Sequence, residues 1–143
     1  MIDKDKLALI TDLEGIFRTF IRGYRRDLNA RLGEGFTSSE LAFLGAIKEN
    51  IEQNVSKLAS GLNVSNSHAT SIMNRLVEKE LITRTRSRQD RRVVVFELTT
   101  QGKEVYSHLN EKRAQYMQER FEKLSSSDIK ELIRIFHSLE QKK

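Results

Sequence analysis

Apolar positions recur every three or four residues along the first part of the chain. This spacing predicts a long amphipathic helix over about residues 4–31, which ends near Gly33 and Gly35. Thr37-Ser38-Ser39-Glu40 is a capping pattern that predicts a second helix running to about Asn50. A helix of this length with one apolar face seldom buries that face fully within a chain of 143 residues.

Two shorter helices are predicted next, over residues 55–62 and 66–79. Ala59 is small where the two helices must approach each other closely. Asn63 lies in the turn between them, where the backbone becomes left-handed and asparagine is tolerated next after glycine. The pair fits a helix-turn-helix.

After the fourth helix the pattern changes to strand-like. Residues 82–86 and 93–98 predict two strands, and residues 87–92 form a polar loop that makes them a hairpin with a basic tip. A long polar helix begins at residues 99–102, and residues 125–128 cap a last amphipathic helix. The predicted fold class is mainly α with a small β-hairpin wing (α+β), a winged helix-turn-helix with terminal dimerisation helices.

Composition excludes several classes of protein. The chain has no cysteine, which excludes disulfides, thiolate metal sites and thiol redox sensors. Its longest apolar run, residues 93–96, is far shorter than a membrane-spanning helix, and no secretory signal begins the chain. We therefore expect a cytoplasmic protein without a membrane partner.

The three histidines lack the spacing of metal ligands: His68, His108 and His137. The sequence also contains no catalytic constellation, so we predict no enzyme, metal or cofactor.

The net charge of +5 is concentrated in two segments. Residues 84–92 and residues 18–31 each hold five arginines and one aspartate, whereas the other 120 residues carry a net charge of −3. Two basic patches on a slightly acidic body suggest an anionic partner bound at defined places. By charge alone, two solvated surfaces are an equal alternative.

The polar face of the fourth helix is the first candidate contact with double-stranded DNA. Its apolar residues share one face, which leaves short polar side chains and an arginine on the other. Such side chains let a helix approach the major groove and bond to base edges, although they also suit an ordinary surface. The predicted contacts are Ser65, Asn66, Ser67, His68, Thr70, Ser71, Asn74 and Arg75.

The hairpin tip is the second candidate contact. A narrow minor groove attracts an inserted arginine, and Asp90 can hold Arg92 in one orientation through a charge-assisted pair. A recognition helix followed at once by a basic hairpin is a winged helix-turn-helix. The predicted wing contacts are Arg84, Arg86, Arg88, Asp90, Arg91 and Arg92.

These motifs resemble the MarR family of bacterial transcription regulators. The resemblance lies in the run from Asn74 to Arg84 (NRLVEKELITR), in Asp90-Arg91-Arg92 and in ELTTQG at residues 97–102. Glu80 departs from it, because the family usually has glycine where the recognition helix ends. The resemblance implies a homodimer joined through its first and last helices, and a pseudo-palindromic DNA site. It also implies, in many members, a small anionic or phenolic effector that weakens DNA binding.

The chain is thereby divided into two regions. Residues 1–35 and 101–143 are predicted to form the helical dimerisation region, and residues 36–100 the DNA-binding domain. Two-fold symmetry would place the recognition helices about 34 Å apart, in successive major grooves. A repressor is expected, because blocking a promoter sterically needs no further domain. The alternative is a helical interaction protein whose basic segments only keep it soluble.

A row of arginines on the first helix, Arg18, Arg22 and Arg25, has two interpretations. One is a solvated or ion-paired stripe, facing glutamates of a partner subunit such as Glu111, Glu119 or Glu122. The other is an anchor for an anionic effector between the dimer helices and the winged domain. The predicted effector-binding residues are Phe17, Arg22, Tyr24 and Phe43.

Overall fold

The computed structural model describes residues 2–49 and 54–140. The described residues form six helices and one hairpin, which confirms the predicted fold class. The helices are α1 (Lys4–Leu32), α2 (Ser38–Glu49), α3 (Val55–Gly61), α4 (Asn66–Glu78), α5 (Thr100–Phe121) and α6 (Ser126–Glu140). Strands β1 (Ile82–Arg86) and β2 (Val94–Leu98) lie between α4 and α5. Asn50, the predicted end of the second helix, lies outside the described residues.

The core lies in the winged domain, where α2, α3, α4 and the hairpin meet. Only the last turns of α1, through Leu28 and Leu32, and a few positions of α5, such as Leu109, reach it. Helix α6 buries no residue. The terminal helices therefore extend beyond the core with their apolar faces open.

The hairpin is antiparallel, with Ile82 opposite Leu98 and Arg86 opposite Val94. Ile82 and Phe96 are buried in the core, which ties the base of the wing to α2 and α4. The Ser87 N–H donates to the Val93 carbonyl (2.9 Å) beyond the last strand pair. The wing thus projects from a fixed base.

The turn between α3 and α4 has the predicted left-handed residue. Asn63 has φ +56°, and its N–H donates to the Ser60 carbonyl, while the Val64 N–H donates to the Ala59 carbonyl. These two bonds satisfy the last carbonyls of α3. Ala59 is buried, in agreement with the predicted close approach of the two helices.

The end of α4 has the same geometry with a less suitable residue. Glu80 has φ +62°, its N–H donates to the Val77 carbonyl, and the Leu81 N–H donates to the Leu76 carbonyl. A glutamate therefore occupies a left-handed position that favours glycine, and the helix still ends there.

Glu80→Gly is expected to raise the free energy of unfolding by about 1 kcal/mol. The left-handed conformation costs a non-glycine residue roughly 1–2 kcal/mol, and the greater freedom of glycine in the unfolded chain offsets part of that gain. Urea denaturation measures the change. Glu78→Gly is the control: Glu78 is the last residue of α4, where the backbone is still right-handed, so glycine should destabilise the protein. Destabilisation by Glu80→Gly itself would show that the glutamate is favoured there.

A tight contact joins the end of α4 to the start of α5. The Thr99 hydroxyl donates to the Glu80 carbonyl (2.7 Å) and accepts from the Gly102 N–H (2.8 Å), while the Thr99 N–H donates to the Leu81 carbonyl. A Cβ on Gly102 would lie 2.0 Å from the Leu81 carbonyl oxygen. Glycine is therefore required where the helix approaches this backbone.

Candidate nucleic-acid interface

Helix α4 presents two distinct faces. Ala69, Ile72, Met73 and Leu76 are buried in the core, as the spacing predicts. The Ser65 hydroxyl accepts from the His68 N–H (3.0 Å), so Ser65 caps the helix. All eight predicted contacts of this helix are exposed: Ser65, Asn66, Ser67, His68, Thr70, Ser71, Asn74 and Arg75.

One side chain of the hairpin is hydrogen-bonded to α4. The Arg84 guanidinium donates to the Asn74 side-chain oxygen (2.8 Å). This bond joins β1 to the exposed face of α4, so the two predicted DNA-contacting elements share one continuous surface. The predictions placed Arg84 and Asn74 in separate elements and did not pair them.

The wing tip holds an ordered ion pair. Two nitrogens of the Arg92 guanidinium donate to the two carboxylate oxygens of Asp90, at 3.1 and 3.2 Å, and the Arg92 N–H donates to the same carboxylate. The Ser87 hydroxyl accepts from the backbone N–H groups of Gln89 and Asp90 and so supports the loop. The Arg92 side chain is nevertheless 91% exposed. It projects from the surface while it is paired with Asp90.

The electrostatics of the tip follow from this pair. The Arg92 guanidinium, and then its backbone N–H, lower the pKa of Asp90. The carboxylate is therefore ionised throughout the neutral pH range and remains available to pair with Arg92. The other predicted wing residues, Arg84, Arg86, Arg88 and Arg91, are also exposed.

Glu40 belongs to this region, although the sequence suggested only a capping role for it. One carboxylate oxygen accepts from the Thr37 N–H (3.0 Å). The other accepts from the Lys79 ammonium (3.1 Å) and lies 3.7 Å from Nε of Arg75, whose side chain is 49% exposed. Arg75, a predicted DNA contact, is thus also a neighbour of a buried carboxylate.

The predicted effector pocket is not formed as a unit. Phe43 is 1% exposed and belongs to the core. Tyr24 borders a groove of about 440 Å³ between α1, α2 and α5, whereas Phe17 and Arg22 lie in a separate depression of about 300 Å³ on α1. Arg22 and Tyr24 are two positions apart, so they point about 200° away from each other around the helix axis. These four residues therefore do not line one pocket within the described part of a single chain.

The arginine row of α1 has no ion-pair partner in the described part of the chain. No described acidic side chain pairs with Arg18, Arg22 or Arg25. Glu119, one of the glutamates expected to face it from a partner subunit, instead pairs with Arg31 of its own chain. The Arg31 guanidinium lowers the pKa of Glu119 through this bond.

No group of three or more histidine, cysteine, aspartate or glutamate side chains in residues 2–49 and 54–140 is placed to hold a metal ion. None of the helices in these ranges combines the length and apolar character needed to cross a membrane.

A helix-turn-helix with a polar second helix, followed at once by an ordered basic hairpin, defines a winged-helix DNA-binding protein. Residues 36–94 match the model of the MarR family. The HTH-type transcriptional regulator YpoP of Bacillus subtilis is 33% identical over 140 residues, which cover 98% of this chain and 99% of that protein. The chain belongs to the MarR family, and it is a DNA-binding transcription regulator, not an enzyme.

Solved structures agree with this fold. A MarR variant from E. coli, complexed with operator DNA, superposes with a TM-score of 0.82 at 22% identity, covering 92% of this chain and 96% of that one. The PcaV regulator from Streptomyces coelicolor, in complex with its natural ligand, has a TM-score of 0.79 at 19% identity and covers 97% of this chain and 95% of that one.

Proposed function

We propose that the protein is a homodimeric repressor acting in the cytoplasm, with α4 of each subunit in a major groove and Arg92 in the adjacent minor groove. The observation that carries this proposal is the shared surface of α4 and the wing. The short, exposed side chains of α4 can form hydrogen bonds with base edges in the major groove. The hydrogen bond between Arg84 and Asn74 joins the wing to the same surface. The exposed Arg92, oriented by Asp90, suits a narrow groove with negative potential.

The proposed dimerisation region comprises residues 1–35 and 101–143, flanking a DNA-binding domain of residues 36–100. Large apolar side chains are exposed along the first half of α1 and along α6. An exposed apolar surface of this extent marks an interaction surface, and a second copy would cover both helices at once. The side chains concerned are Leu7, Leu9, Ile10, Leu13, Ile16, Phe17, Ile129, Leu132, Ile133, Ile135, Phe136 and Leu139.

A small anionic aromatic effector is proposed to bind in the groove between α1, α2 and α5. The groove has apolar walls such as Leu28 and Leu41, and polar groups from Tyr24, Asn110 and Arg113. Arg113 donates to the Asn110 side chain (2.9 Å), which orients a cation at the groove. Helix α2 forms one wall and also contacts α4, so a ligand there can alter the DNA-reading helix.

Selection of bound duplexes from a random DNA library tests the proposal. We expect an inverted repeat with half-sites about one helical turn apart, bound by two chains per duplex in light scattering. Affinity should fall roughly 10³–10⁵-fold between 50 and 200 mM salt if about 6–10 phosphates are contacted. Benzoate and its hydroxylated derivatives should release the duplex. One chain per duplex would contradict the dimer, and weak salt dependence would favour a helical interaction protein.

A further inference from the structure

Glu40 is the one charged side chain buried among the described residues, with 1% of its surface exposed. A buried carboxylate is costly unless hydrogen bonds and opposite charges compensate for its lost hydration. The capping bonds to Thr37 account for one carboxylate oxygen only. The second oxygen faces α4, so helix capping does not explain why this position is charged.

The ammonium group of Lys79, which faces this second oxygen, makes three contacts. Lys79 donates to Glu40 (3.1 Å) and to the Gly35 carbonyl (3.2 Å), and its ammonium group lies 4.2 Å from the centre of the Phe36 ring. All three groups belong to α2 or to the connection that precedes it. Lys79 is the C-terminal cap of α4, where the helix dipole also favours a positive charge. The C-cap of α4 is therefore fixed against the start of α2 and the connection that precedes it.

The remaining contacts of α4 with the core are apolar. Ile72, Met73 and Leu76 make these contacts. The free energy of an apolar contact depends on the area buried and not on direction, so it tolerates small rotations and shifts of the helix. A hydrogen-bonded ion pair is directional, and a buried one can select one arrangement even where it adds little net stability. The contact at Arg75 and Lys79 directly follows the exposed Asn74 in the sequence.

We infer that Glu40 is a positioning residue for DNA recognition, which fixes the rotation and axial position of α4 through Lys79 and Arg75. This inference rests on the proposed role of α4 in reading bases. Glu40 contacts no base in this scheme. It holds Ser71 and Asn74 in register with the edges of the base pairs.

Glu40→Gln separates positioning from capping, because the amide oxygen can still accept from the Thr37 N–H while the charge is lost. Affinity for the duplex selected by the wild-type protein should fall about tenfold or more. Affinity for random duplex should change less than about twofold, and the slope of log affinity against log salt should stay the same, since no phosphate contact is removed. The exposed Glu34→Gln variant, which removes the same charge from the neighbouring turn, is the matched control and should keep both affinities.

Two further measurements keep the inference falsifiable. Glu40→Gln with Lys79→Met removes both charges, so it should fold as stably as the single variant or better while the loss of specific affinity persists. Hydrogen exchange without DNA should quicken in α4 of Glu40→Gln but not of Glu34→Gln. Unchanged exchange in α4, or equal losses on selected and random duplexes, would overturn the inference. If the wild type selected no sequence, the proposed function would fail, and exchange in α4 would still decide the role of Glu40.

Discussion

Arg92→Ala is expected to weaken binding to the selected duplex about 10–100-fold while leaving the melting temperature unchanged. Loss of a groove contact of this kind costs about 1–3 kcal/mol. The side chain is 91% exposed and its only described partner is Asp90, so little folding energy depends on it. Gel-shift titration and thermal denaturation of the same preparation measure the two quantities.

Variants at the neighbouring residues make this prediction specific. Asp90→Ala should weaken binding less than Arg92→Ala, because the guanidinium keeps its charge and loses only its fixed orientation. Arg91→Ala removes the same charge from a position without that pair, so it should cost less than Arg92→Ala and lower the salt slope by about one. Near-wild-type affinity of Arg92→Ala would discard the minor-groove assignment. Equal losses of affinity for Arg91→Ala and Arg92→Ala would indicate that the wing contributes only its positive charge and no specific groove contact.

Gly102→Ala is expected to destabilise the protein by about 3 kcal/mol or more, a large part of the stability of a domain this size. The added Cβ would lie 2.0 Å from the Leu81 carbonyl oxygen, so α5 and the end of α4 would have to separate. The bonds of Thr99 to Glu80 and Gly102 would be strained in the same movement. Urea denaturation gives the loss of stability.

Gly61→Ala is the control for this variant. Gly61 is the last residue of α3, and a Cβ there meets no atom within 4 Å. Alanine should therefore be neutral or stabilising by up to about 1 kcal/mol, since it has the higher helix propensity. A Gly102→Ala protein as stable as the wild type would show that the contact between α5 and Leu81 relaxes freely.

Predictions that depended on neighbours in the sequence agree with the structure. The helix bounds, the left-handed Asn63, the apolar face of α4 and the pairing of Asp90 with Arg92 each involve residues within one or two turns or a single loop. Local spacing determines such features, because helical and strand periods and short side-chain contacts operate over a few residues. The sequence by itself therefore determined the order of the elements and the surface proposed to meet DNA.

The tertiary structure decided which distant residues meet. Glu40 and Lys79 are 39 positions apart, and Gly102 contacts Leu81 across the whole hairpin. Spacing likewise could not show which of the four proposed effector residues lie together, since periodicity shows that Phe43 is apolar but not that it faces the core. Packing angles between helices decide which of their faces meet, and these angles arise from many weak contacts acting together. The spacing of apolar residues along one helix does not determine them. Only the folded chain shows that the capping carboxylate of Glu40 also pairs with Lys79 at the end of α4.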